Sequence, residues 1–349
     1  MNYVRRNPRF LFSCLHAFPP SAAMDLFESL GVPLKTERGR RVFPQSDRAA
    51  DVLAALRQYA EAARFVKADA EELILEDGVC KGVIAGGKAY RARNVLLATG
   101  GVSYPVTGSD GSGYRLAQQV GHTIVKPQPS LCSLVSPDPA CRKLMGLSLR
   151  NVTLTLLRDG KPLFTEQGEA LFTHFGLSGP LVLSASTYID DIRAHKYVCE
   201  FDLKPALDEK TLYDRLTRDF AALGGRSAQG ALEKLLPHSM RPVAVEKWGV
   251  DPATRAAQIT REQKMDLVRL CKHWAVPVTA LGDLEHAVVT AGGVDVREVD
   301  PKTMASKLCP GLYFAGEILD VDARTGGYNL QIAWATARAA AAAAAEADQ

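Results

Sequence analysis

No two of the seven cysteines stand as a Cys-x-x-Cys pair. That excludes a dithiol-disulfide reductase, whose chemistry passes electrons through neighbouring thiols. Scattered at Cys14, Cys80, Cys132, Cys141, Cys199, Cys271 and Cys309, they read as reduced thiols in a core, the pattern of a cytoplasmic protein. The seven histidines show neither His-x-His nor His-Glu-x-x-His spacing, so no metal site is expected. Charge of one sign is also lacking: 42 basic and 39 acidic side chains leave +3, which demands neither a nucleic-acid nor a membrane partner. Long apolar runs are absent too. Met1 to Arg9 has charges without the apolar stretch of a signal peptide. The alanine-rich Ala335 to Ala347 is broken by Arg338 and Glu346 and reads as a soluble helix.

What is present suits two or three soluble globular domains: 349 residues, 47% of them hydrophobic. Pro19 to Leu30 has the spacing of a helix, and Ser46 or Asp47 is placed to cap a second one through Ala49, Val52, Leu53, Leu56 and Ala60. A meander of short strands follows from Ala70 to Ala92, turning at Asp77-Gly78 and Gly86-Gly87. Val95-Leu96-Leu97 then reads as a buried parallel strand entering Thr99-Gly100-Gly101. Prolines at 127, 129, 137 and 139 suggest a linker, and β-rich segments such as Asn151 to Leu157 and Tyr197 to Leu203 come after it.

Asp208 to Trp274 reads as helical. Its clearest helix starts with the capping box Thr260 and Gln263 and buries Leu267, Val268, Leu270, Cys271 and Trp274. The end of the chain, Leu312 to Ala315, Gly316-Glu317, Gly326-Gly327-Tyr328-Asn329 and a long helix, is again strand, glycine turn, helix. The expectation is therefore one α/β domain built from both ends of the chain, 1–126 and 291–349. Inserted in it are a β-rich domain at 127–207, a helical subdomain at 208–275 and a return strand at 276–290.

In a doubly wound sheet, ligands sit beyond the carboxyl ends of the strands, where the turns must let backbone come close. Ala98-Thr99-Gly100-Gly101 ends one strand and Ala315-Gly316-Glu317 another, at opposite ends of one domain, and the pair points to a dinucleotide site. Thr325-Gly326-Gly327-Tyr328-Asn329 opens a helix whose free N–H groups favour electron-rich atoms.

Four runs carry a family resemblance. They are Arg41-Val42-Phe43-Pro44; Ala98 to Pro105 with Thr107-Gly108; Gly168 to His174 with Ser178-Gly179-Pro180; and Pro301 to Met304 leading to Gly311 to Glu317 and Thr325 to Gln331. Together they resemble the aminoacetone-oxidase-like, or BaiN-like, family of NAD(P)/FAD-dependent oxidoreductases. The resemblance implies a Rossmann-type FAD-binding domain interrupted by a β-barrel domain with an α-helical subdomain. It implies that Thr99, Gly100 and Gly101 line the FAD path. It also implies that Gly316 and Glu317 follow the ribityl and pyrophosphate part, and that Gly326, Gly327, Tyr328 and Asn329 approach the isoalloxazine. The family commonly has Gly-Asp-Gly-Tyr where this chain has Gly111-Ser112-Gly113-Tyr114, with Asp110 close by. Its members open with a strand and a Gly-x-Gly-x-x-Gly loop. Here Gly-x-Gly occurs once, at Gly111 and Gly113, with Leu116 in the third glycine's place. The chain thus reads as truncated by at least a βαβ unit, roughly 30 residues, and by itself is expected to hold little FAD.

His174 is the acid/base candidate, weighed against a structural histidine. Tyr104 and Tyr328 are candidates for contact with substrate, and Arg38, Arg40 and Arg41 form the densest basic cluster. The expected function is hydride transfer between FAD and a small organic substrate, with NAD(P)H or O2 as the other redox partner. The alternatives are an RNA-modifying flavoprotein and a remnant without catalysis. The mixed charges and few aromatics of Asp208 to Trp274, namely Tyr213, Phe220, Trp248 and Trp274, speak against RNA.

Overall fold

Two apolar triplets far apart in the chain, Val95–Leu97 and Leu312–Phe314, lie side by side as parallel strands, with Leu312 opposite Val95 and Phe314 opposite Leu97. In this computed structural model, which describes residues 3–37 and 39–347, the pair belongs to a first unit. That unit is the chain up to Ser130 together with Asp283 onward, and residues 131–282 form a second. Continuous apolar runs are what a strand covered on both faces requires; Leu97 and all of Leu312–Phe314 are buried, but Leu96 is exposed, so Val95–Leu97 is covered on one face only. The last helix, Tyr328–Glu346, adds Ile332, Ala335 and Ala340 to the same core. No helix among the described residues is long and apolar enough to cross a membrane.

The meander is present as Ala70–Glu76, Val79–Ala85 and Lys88–Arg91. Asp77, Gly78, Gly86 and Gly87 all have positive φ, the backbone that two-residue hairpin turns need. Helices Pro20–Ser29 and Ala49–Tyr59 stand near the expected places. Neither Ser46 nor Asp47 caps the second of them. Ser46 Oγ accepts the Arg48 N–H at 3.3 Å, and Asp47 takes the Lys35 ammonium at 2.7 Å.

Ile124–Ser130 is a strand of the first unit and not a linker, because it pairs antiparallel with Val289–Val294, Val289 opposite Ser130 and Thr290 opposite Pro129. The two-stranded ribbon tolerates prolines that a central strand would reject. That pairing also moves the far boundary: the segment from Asp283 lies in the first unit, where the sequence suggested an insert running to 290.

The second unit holds a sheet in the order Trp274–Val278, Tyr197–Asp202, Ser148–Arg158, Lys161–Thr173, Gly176–Ser178, Leu134–Val135, Ala280–Leu281. Only Thr279 separates the two strands at the ends of that order, and its N–H donates to Val135 O at 2.9 Å. One stretch of chain therefore pairs with both edges, and the sheet returns on itself. The ends of the unit meet as well, the Gly282 N–H donating to Ser133 O at 2.8 Å. Helices Glu209–Ala222, Met240–Trp248 and Arg261–Lys272 pack their apolar faces into one large core. The capping box is formed: Thr260 Oγ1 accepts the Gln263 N–H at 3.2 Å, and Gln263 Oε1 accepts the Thr260 N–H at 2.9 Å.

Trp274 departs from the expectation of a helix. Trp274-Ala-Val-Pro-Val alternates buried and exposed, and Pro277 with two valines suits a strand, not another helical turn. Leu270 is only partly buried.

Candidate functional site

The parallel pair sets the geometry of the site. Its two strands end level, the Ala315 N–H donating to Leu97 O at 3.0 Å, so Thr99-Gly100-Gly101 and Gly316-Glu317 leave the sheet next to each other. Gly100 has φ +75° and Gly316 φ +76°, left-handed backbone that a side chain opposes. Gly101 is constrained by space instead. A Cβ there would overlap Thr290 Oγ1 and lie 2.6 Å from Thr290 Cβ and 2.9 Å from Glu317 Oε1.

A hydrogen-bond network ties these turns together. The Thr290 N–H donates to Glu317 Oε1 at 2.6 Å. Thr290 Oγ1 accepts the N–H groups of Val102 at 2.9 Å and Ser103 at 3.1 Å. Ser103 Oγ donates to Glu317 Oε1 at 3.3 Å and lies 3.2 Å from Thr290 Oγ1. Helix Ser112–Gln119 starts against the same turn. It opens on Gly111, and a Cβ at Gly113 would overlap Thr99 Oγ1. Asp110 serves this helix start, accepting the Ser112 N–H at 2.8 Å. The hydrogen bonds from Ser112 hold its carboxyl below the usual aspartate range.

Helix Tyr328–Glu346 begins at Gly327, which has left-handed backbone and no side-chain cap. Asn329 clamps the turn before it, its Oδ1 accepting the Ala323 N–H and its Nδ2 donating to Ala323 O, both at 2.9 Å. Its amide is thereby used to shape the loop. The Tyr328 ring stacks on Tyr3, with centroids 4.7 Å apart and planes 12° apart, and the Arg324 guanidinium lies 5.4 Å above Tyr3. Burial raises the Tyr328 phenol above its ordinary range. A Cβ at Gly326 would come within 2.9 Å of Tyr328 Cε2, whereas one at Gly327 would meet open space.

Residues that sequence reasoning missed surround these turns. Asp320 and Asp322 are buried, and burial pushes both carboxyls up despite the Arg6 guanidinium, 3.5 Å from Asp322 Oδ1 and 4.0 Å from Asp320 Oδ1. Ser130 Oγ donates to Asp322 Oδ2 at 2.7 Å and Asn7 Nδ2 to Asp320 Oδ2 at 3.0 Å. The available signal was two aspartates inside the otherwise apolar run from Ile318 to Ala323. Thr290 offered no local signal, since its partners lie far off in sequence.

His174 belongs to the second unit, whereas every residue above belongs to the first. It is exposed in a two-residue turn closed by Thr173 opposite Gly176, with its ring edge-on to Phe175 at 4.9 Å. Tyr104 is exposed with φ +50°. Arg40 and Arg41 are exposed, Arg41 lying over Phe43, and Arg38 falls outside the described residues. No group of three His, Cys, Asp or Glu among the described residues could hold a metal. The cysteines are buried, which pushes Cys14 up to about 11 and Cys271 up to about 12, far from thiolate chemistry.

A dinucleotide cofactor fits the first unit on three observations. Two left-handed glycine turns end the paired strands, and helix Tyr328–Glu346 starts without a capping side chain. In addition, Glu317 Oε2 has no hydrogen-bond partner among the described residues, while Oε1 has two donors.

The family model described as "HI0933-like protein Rossmann domain" matches residues 1–343. The chain is 32% identical over 352 residues to a 3-dehydro-bile acid delta(4,6)-reductase of Clostridium scindens, spanning 99% of this chain and 85% of that protein. It is 34% identical over 254 residues to a ribosomal RNA dihydrouridine synthase of Haemophilus influenzae, spanning 72% of this chain and 60% of the relative. A ribosomal RNA dihydrouridine synthase of Escherichia coli is 28% identical over 341 residues, which span 97% and 82%.

Proposed function

The chain belongs to the HI0933-like Rossmann family, and from that premise we propose that it is an FAD-dependent oxidoreductase that reduces a carbon–carbon double bond conjugated to a carbonyl. The observation that carries the cofactor half of this reading is the level ending of Val95–Leu97 and Leu312–Phe314 in two glycine turns. Support for the substrate half comes from the relatives. The names 3-dehydro-bile acid delta(4,6)-reductase and ribosomal RNA dihydrouridine synthase both denote saturation of a double bond of that kind.

Thr99, Gly100 and Gly101 would hold the cofactor from one strand end, and Gly316 and Glu317 from the other. FAD supplies the hydride when bound. The protein's part is position and electrostatics. The N–H groups at the start of helix Tyr328–Glu346 favour negative charge in front of them. Reduction of a conjugated double bond also takes up a proton. The Tyr328 phenol keeps its proton at neutral pH, since burial raises its pKa, and His174 is the second proton donor proposed. NAD(P)H is the proposed reductant, acting as a transient visitor.

A small organic substrate is favoured over RNA by the fate of the insert's aromatics. Phe220, Trp248 and Trp274 are buried and Tyr213 partly so, so residues 208–274 present no fully exposed aromatic of the kind on which single-stranded RNA stacks, and Phe175 is the exposed one elsewhere in the second unit among the described residues. The two synthases among the relatives keep the RNA reading as the second one. The test starts with flavin absorbance per chain of the full gene product. The bound flavin is then bleached anaerobically with NADH or NADPH and reoxidised with either a conjugated enone or ribosomal RNA. Reoxidation by the enone supports the first reading, and reoxidation by RNA with gain of two hydrogens on a uridine supports the second. A protein that takes up no flavin refutes both.

A further inference from the structure

Thr290 is fully buried in strand Val289–Val294. Its partner across the ribbon, Pro129, has no N–H for the Thr290 carbonyl. The Thr290 N–H donates to Glu317 Oε1 at 2.6 Å. Its hydroxyl oxygen takes two backbone N–H groups, from Val102 and Ser103, just beyond Gly101. One residue of a third segment therefore fastens the turn after Val95–Leu97 to the carboxylate after Leu312–Phe314.

The direction of the hydrogens can be worked out. Glu317 has no proton to give as a carboxylate, so Ser103 Oγ must donate to Oε1. With Ser103 committed as a donor, the Thr290 hydroxyl proton is left to donate to Ser103 Oγ, 3.2 Å away. The result is a relay, Thr290 O–H to Ser103 O–H to Glu317 Oε1, with the Thr290 N–H arriving at the same oxygen. Both donors hold Oε1, and Oε2 is left over.

We propose that Thr290 is a positioning residue, acting through Ser103 and Glu317 to present Glu317 Oε2 to a hydroxyl of the bound cofactor. The inference rests on the FAD reading above. It adds that affinity is set by a residue outside both glycine turns. The packing allows little alternative: a Cβ on Gly101 would already overlap the Thr290 hydroxyl, so turn and threonine cannot shift independently.

The experiment is a double-mutant cycle on the full gene product, with the FAD dissociation constant from flavin fluorescence and the melting temperature as readouts. Thr290→Val keeps the β-branch and the N–H but removes the hydroxyl. It is expected to weaken FAD binding by about 10- to 100-fold, the range for a hydrogen bond that serves a charged group. Thr290→Ser should restore binding to within about threefold of wild type, a small part of that loss. In a Glu317→Gln background Thr290→Val should add little, since the threonine acts through the carboxylate. If Thr290→Val fails to fold, Ser103→Ala makes the same test, because it cuts the relay and spares the buried threonine. Wild-type affinity in either variant overturns the proposal, as does a loss that adds in full to that of Glu317→Gln. Those outcomes leave the FAD reading standing. Failure of the wild-type protein to bind FAD removes that reading and this one together.

Discussion

The two units treat the starts of their helices in opposite ways. Among the described residues, four of the six α-helices in the second unit begin on a side chain that accepts a first-turn N–H: Asp138, Asp208, Ser227 and Thr260. None of the five in the first unit begins on such a residue, although Asp110 just before Gly111 accepts the Ser112 N–H, and two of the five begin on a left-handed glycine, Gly111 and Gly327. A cap contributes about 0.5–2 kcal/mol, so the second unit uses its polar side chains for its own stability. The first unit leaves N–H groups open beside glycine turns and buries two aspartates under strain of desolvation. Capped and open helix starts are thus assigned to different stretches of one chain.

The strongest way to sharpen this contrast is Gly326→Val. The backbone there has φ +128°, and a Cβ would press on Tyr328. Loss of flavin binding from a folded protein is the expected outcome. An unchanged flavin spectrum at full occupancy would mean that this helix start does not face the cofactor. Gly327→Val separates space from strain, since nothing stands within 4 Å of a Cβ there and only φ +87° opposes it.

His174→Ala is the way to break the contrast, because His174 lies in the second unit. Flavin content should be unchanged and turnover slowed about 10²–10⁴-fold, the usual contribution of a general acid or base. Single-turnover flavin reoxidation measures it. Turnover at the wild-type rate would return the histidine to a surface role and confine the chemistry to the first unit.

The smallest effect is expected of Thr260→Ala. Removing this cap should lower stability by about 1 kcal/mol in chemical denaturation and leave flavin affinity untouched. A change in affinity would show that the units share their energetics after all.

Local patterns made much of this legible. Asp77-Gly78 and Gly86-Gly87 announce hairpin turns by the φ they permit, and Thr260 with Gln263 announces a helix start. The level pair of strand ends could be expected because a buried parallel strand is apolar throughout. Long-range pairing was not legible. Pro127 and Pro129 read as a linker because nothing near them reveals a partner strand some 160 residues on. Thr290 escaped notice for the same reason, and Asn329 read as a cofactor contact while its amide closes the loop at Ala323. Trp274 was misplaced because a helix and a strand meet within two residues of it.

The meeting of Ser133 and Gly282 has a consequence for the order of events on the ribosome. Val95–Leu97 emerges long before Leu312–Phe314 exists to pair with it, and closing a loop that long in a disordered chain is entropically unfavourable and slow. Residues 131–282 depend on no later segment for their own sheet. Once folded, they hold their two ends one hydrogen bond apart, and the loop shrinks to residues 98–132 on one side and 283–311 on the other. The second unit then acts as a clamp on the chain, shortening the loop that the parallel pair of the first unit has to close.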